Sequence, residues 1–225
     1  MDISIILIIL TGFGLGLGHS LDPDHIMAVS TLLSNNKSVR KSIISATVWG
    51  VGHSTALFLV GLCVLIFKIV IPDVAINLFE FLAGAMLVIL GIFVVTPLIK
   101  GISSNVRNFQ GNTILALDET SDGDSNKEHK HLNKSAVAGV LQGLGGSAAL
   151  MLVTLTTVSS VTIGLIFILI FGFGVILGMI GVSCVVGTVI AYAASNLERV
   201  HKIIKAITGT GSIIFGMFII LDLII

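Results

Sequence analysis

The chain has 225 residues, 55% of them hydrophobic and only 11% charged, with a formal net charge of zero. A soluble domain of ordinary composition carries roughly 25% charged residues, and a mean hydropathy of +1.09 leaves too little polar surface to cover a globule in water. These values exclude a conventional soluble protein and give no footing for a nucleic-acid partner; the charges are clustered in sequence, so their positions carry the information.

A membrane span needs about 20 mainly apolar residues, and six segments meet that requirement: Ile3 to Leu33, Ser42 to Ile71, Val74 to Ile99, Ser135 to Ser159, Val161 to Ala193 and Ile203 to Ile225. The expected fold is an all-α membrane protein of about six helices. The first segment lacks a basic leader and runs straight into a polar group at His19 to His25, which argues against a cleaved signal peptide. It also exceeds the hydrocarbon thickness, as do the second and fifth, so these spans must tilt, bend or break.

Within the first span stands His19-Ser-Leu-Asp-Pro-Asp-His25. An aspartate at the centre of a membrane helix costs about 2.5 to 3.5 kcal/mol, so Asp22 and Asp24 require compensation. A dication supplies it, and imidazole nitrogen with carboxylate oxygen suits nickel, cobalt or zinc. On an intact helix His19, Asp22 and His25 share an arc of roughly 120°. Pro23 cannot donate to the carbonyl of residue 19, so a kink or unwound turn is expected there, with carbonyl oxygen freed for the site. The plainer reading of the same residues is a polar knot that holds helices together.

Between spans one and two lie Lys37, Arg40 and Lys41; the second span then contributes Gly50-Val-Gly-His-Ser-Thr55, with His53 at a depth matching His19 to His25. Neutral histidine both donates and accepts, so His53 is a ligand or an interhelical hydrogen bonder. The third span holds Glu80 near its outer end. From Lys100 to Lys134 runs the one long polar segment, with His129 and His131 in it, read as a solvated loop. It divides the chain into a first half at 1–99, a loop at 100–134 and a second half at 135–225. The fourth span supplies Gln142 and Ser147, and together with Ser20 and Ser54 they are candidates to line the site. Of the twelve Lys and Arg residues, all but Lys68 fall on one side. The positive-inside rule makes that side cytoplasmic, so the loops at 34–41, 100–134 and 194–202 face the cytoplasm and both termini lie outside.

The two halves resemble each other. Gly16-Leu-Gly-His-Ser20 is similar to Gly143-Leu-Gly-Gly-Ser147, and Trp49-Gly-Val-Gly52 to Phe171-Gly-Phe-Gly174; Leu82 to Phe93 matches Ile207 to Phe218 with both glycines in register. Three spans per half oblige the copies to run in opposite directions, the inverted repeat of many secondary transporters.

Gly18-His-Ser-Leu-Asp-Pro-Asp-His-Ile26 resembles the His-x4-Asp-His signature of the nickel/cobalt transporter family, and Gly52-His-Ser-Thr55 is similar to its second helix motif. Gly143 to Leu150 resembles the smaller six-helix branch, which includes membrane proteins associated with urease. The resemblance implies a permease without enzymatic activity, with His19, Asp24 and His25 central to metal selection and metallochaperones or metalloenzyme maturation proteins as partners alongside the metal and the lipid bilayer. From the residues and the resemblance together, the metal set is His19, Asp22, Asp24, His25 and His53, and the metal is the transported substrate. Two departures stand out: Gln142 occupies a position where the family often carries histidine, and the loop lacks the long His-rich run of efflux members, which favours uptake over efflux. No G-x-x-x-x-G-K-[ST] stretch cradles a nucleotide, so transport is expected to be secondary. Histidine binds metal as the neutral base, so acid on the releasing side would aid release. A rival reading makes Cys63 and Cys184 a transmembrane thiol–disulfide electron carrier, although neither has the electropositive surroundings that activate a thiol.

Overall fold

The computed structural model describes residues 3–34, 38–68, 71–99, 124–145 and 160–224. Among them are helices and no strand: α1 (Ile3–His19), α2 (Pro23–Leu33), α3 (Val39–Phe67), α4 (Asp73–Ile99), α5 (Asp124–Leu144), α6 (Val161–Asn196) and α7 (Glu198–Asp222). Four of them, α3, α4, α6 and α7, are long and apolar enough to cross a membrane. The α1–α2 pair, bent by 55°, makes a fifth span if counted as one. Leu10, Val185 and Ile214 are exposed on the outside while His25, His53, Gln142 and Ser183 are buried. Such inverted polarity suits lipid as the surrounding solvent. The chain is a multi-pass membrane protein.

The expected loop and fourth span meet the structure in one helix, α5. The fourth expected span, Ser135 to Ser159, is helical as far as Leu144 and then runs outside the described residues. Residues 124–134, read as the end of a polar loop, are already helical in α5. A polar stretch carries no apolar stripe, so hydrophobic periodicity could not find this extension. The rest of the loop lies outside the described residues.

The first expected span does break, and the cause is local. Pro23 has no N–H to give the His19 carbonyl, and that oxygen accepts instead from the Asp22 N–H at 3.1 Å; Leu21 N–H reaches back to Gly18 at 2.9 Å. The expected free carbonyl at residue 19 is therefore already used. Asp22 stands as N-cap of α2 in extended backbone, with Pro23 at the first helical position, where a missing N–H does no harm. At the far end of α3, Lys68 with φ of 49° takes the left-handed conformation that commonly terminates a helix.

Close approach of backbones fixes the packing. A Cβ on Gly84 of α4 would stand 2.9 Å from the carbonyl oxygen of Gly216 on α7, and one on Gly216 would stand 2.5 Å from that of Gly84; Gly91 and Gly209 face each other about two turns away. The two helices therefore run antiparallel. By the same kind of contact Gly16 of α1 lies on the Phe171 backbone of α6, while Gly139 and Gly143 of α5 lie on the Trp49 and His53 backbone of α3. Small residues at membrane helix interfaces allow this approach. Directed hydrogen bonds add to it: Ser212 Oγ donates to the Leu87 carbonyl at 2.9 Å and Ser54 Oγ to the Gly172 carbonyl at 3.0 Å.

Candidate metal centre

The break between α1 and α2 brings His19 and His25 to one spot from two helix ends, and α3 presents His53 to them. Ring centroids are 4.5 Å apart for His19 and His25, 5.2 Å for His19 and His53, and 4.9 Å for His25 and His53. All three are buried, and each offers a nitrogen within 4.8 Å of the others. The intact-helix arc expected from sequence is not what assembles them. A turn without regular helix does, with α3 as the third wall.

The carboxylates occupy the other edge of two of these rings. Asp22 Oδ2 is 2.9 Å from His19 Nδ1, and Asp24 Oδ1 is 3.0 Å from His25 Nδ1. Asp22 is a third exposed and Asp24 less so, whereas His25 is almost wholly enclosed. On His19 the Asp22 carboxylate hydrogen-bonds Nδ1, holds the proton there and turns Nε2 outward as a lone pair, the arrangement that accompanies metal-ligating histidine. His19 Nε2 then faces His53 Nε2 at 3.2 Å. On His25 neither ring nitrogen has a hydrogen-bond partner of good geometry among the described residues, Asp24 lying close to Nδ1 but off its N–H direction, and His53 Nδ1 has none either. Asp22, Asp24 and His25 also form a second group with mutually close donor atoms, sharing His25 with the imidazole group.

Gln142 reaches the same place from α5. Its Nε2 donates to the Asp24 carbonyl at 3.1 Å, while its Oε1 is buried without a partner among the described residues. Ser20 and Ser54, considered as lining, have other engagements: Ser20 Oγ donates to the Leu17 carbonyl at 2.7 Å, and Ser54 joins α3 to α6. Ser147 lies outside the described residues, as do the side chains of His129 and His131, which fall within α5. Cys63 is exposed on α3 and Cys184 half-buried on α6; neither belongs to the histidine group.

Two aromatic residues at the site escaped the sequence reading. Trp49 stacks on His53 at 5.1 Å and 17° and meets His25 edge-on at 5.0 Å. Phe171 lies 5.3 Å from His19. The four-residue step from Trp49 to His53 along α3 was the available signal, since residues at i and i+4 share a helix face. In an apolar helix, however, a lone aromatic reads as core.

Known proteins supply an independent line. No family model matches the chain, and no solved structure matches it. The chain is 31% identical over 228 residues to "Urease accessory protein UreH" of Bacillus sp. (strain TB-90), an alignment covering 96% of this chain and 91% of that relative. With a likeness that runs nearly from end to end, the chain belongs to the family of the urease accessory protein UreH.

Proposed function

We propose that the chain is a secondary permease that carries nickel or cobalt across the membrane, in the direction of uptake, for metalloenzyme maturation. The observation that carries this reading is the meeting of three buried imidazoles, with a carboxylate close to two of them, at the break of an otherwise apolar span. Nitrogen atoms 3.2 Å apart, each about 2.1 Å from a shared metal, subtend roughly 100° at it. That angle is usable in tetragonal or tetrahedral coordination, the geometries of nickel, copper and zinc sites. His19, His25 and His53 are the proposed inner ligands; Asp22 orients His19, and Asp22 and Asp24 add charge that draws a dication in and can bind it directly through the group they form with His25. The urease relative supports nickel as cargo and urease maturation as destination.

A pair of inverted three-helix halves, 1–99 and 135–225, completes the proposal. Exchanging the halves by their sequence correspondence pairs Gly84 with Gly209 and Gly91 with Gly216. It thereby turns the Gly84–Gly216 contact into the Gly209–Gly91 contact, and both occur. The Lys and Arg distribution supports both termini outside, with loops 34–41, 100–134 and 194–202 in the cytoplasm. The thiol–disulfide alternative has no such support, because it leaves the histidine group without a role.

The test is flux of radioactive nickel and cobalt in reconstituted vesicles of known orientation, for the native chain and for His25→Ala and His53→Ala. Native vesicles should accumulate metal and both variants should lose nearly all of that flux. Unchanged flux in the variants would remove the site from the transport path.

A further inference from the structure

The imidazole group is closed at two ends by aromatic rings, and the helix register shows that the ends are opposite ones. Gly172 of α6 faces Ser54 of α3, and Gly50 of α3 faces Ile176 of α6. The two helices are thus antiparallel with a fixed register, in which Phe171 falls level with Thr55 and Trp49 level with Leu177. At ~1.5 Å per residue, Trp49 is about 6 Å from the level of His53 toward the N-terminal end of α3. Phe171 is about 3 Å from that level on the other side. Helical side chains lean toward the N-terminus of their own helix, so in antiparallel helices these two rings lean apart, toward opposite faces of the membrane.

Each ring also touches the group it covers. Trp49 is in contact with His53 and His25, and Phe171 with His19. Both are buried. A buried indole N–H ordinarily finds an acceptor, yet Trp49 Nε1 has none among the described residues. The ring is held by stacking and apolar packing, so its displacement breaks no hydrogen bond to the described residues. The half-to-half correspondence of the sequence pairs Trp49-Gly-Val-Gly52 with Phe171-Gly-Phe-Gly174, so the two rings occupy equivalent places in the two halves. Apolar constrictions close ion paths because a hydrated ion cannot shed its water against them.

We propose that Trp49 and Phe171 are the two gates of the site, each sealing the bound dication from one face of the membrane. The inference rests on the permease reading. Opening Trp49 exposes the imidazoles toward the face at the start of α3; opening Phe171 exposes them toward the other; alternation of the two moves the metal without an open pore.

The experiment loads nickel onto the full chain in oriented vesicles and follows its release to a membrane-impermeant chelator supplied at one face or the other. Trp49→Ala should speed release about tenfold toward the face at the start of α3 only, the factor that corresponds to one lost aromatic contact. Phe171→Ala should do so toward the opposite face only. Trp49→Phe and Phe171→Leu, which disturb packing less, should shift release in the same one-sided sense by a smaller factor and serve if the alanine variants do not fold. Release that quickens equally toward both faces, or toward neither, in variants that still bind nickel would overturn the gates while leaving the permease intact. A native chain that binds no nickel would instead overturn the permease reading itself.

Discussion

His19 Nδ1 is occupied by Asp22, and its Nε2 confronts His53 Nε2 at 3.2 Å. If both nitrogens carried lone pairs they would repel, and if both carried protons they would clash; only a shared proton or a cation between them relieves the contact. Asp22 therefore acts through His19, fixing which nitrogen bears the proton. Partners of this kind contribute about 10–100-fold to metal affinity. Asp22→Asn, which keeps the shape and removes the charge, should weaken nickel binding by about that factor in calorimetric titration while leaving thermal stability within about 1 kcal/mol, as expected of a partly exposed side chain. An affinity equal to that of the native chain would show that His19 needs no such partner. Trp49 exemplifies what one residue does not reveal alone: its type suits an apolar helix interior, and only its distance from His25 and His53 marks it as part of the site.

Among the helices, proline and glycine were the most legible signals. Pro23 announces the break because a missing N–H has an unavoidable consequence four residues upstream, and the 55° bend follows. What the proline could not announce was the destination of the His19 carbonyl, which depends on how the next N–H turns. The start of α5 was illegible because residues 124–134 lack an apolar face. Glycines divide by context in a way that sequence leaves open. Gly216 lies directly on the backbone of α4, whereas a Cβ on Gly14 would meet nothing within 4 Å. Gly216→Val should force α4 and α7 apart and cost about 1–3 kcal/mol or more, read as a lowered unfolding temperature in detergent. Gly14→Ala should be neutral or stabilising by up to ~1 kcal/mol, the helix-propensity gain. Equal effects of the two substitutions would mean that the α4–α7 contact does not bear on stability.

At the scale of the whole molecule, the described helices present large apolar side chains outward, and the polar residues of the site gather at the α1–α2 break. α5 touches the break through Gln142, α6 covers His19 through Phe171, and α3 brings His53. The membrane character was readable from composition, since lipid alone tolerates so few charges. Convergence of His53 with the broken span was suggested by shared depth; the enclosing rings came from helix register, which no single segment encodes. The central claim is that a dication sits among His19, His25 and His53. X-ray absorption of the nickel-loaded protein tests it most directly. The account predicts two or three imidazole nitrogens at about 2.1 Å, with imidazole scattering lost in step when His19, His25 or His53 is replaced by alanine. A shell made only of oxygen, or one unchanged by all three substitutions, would contradict it.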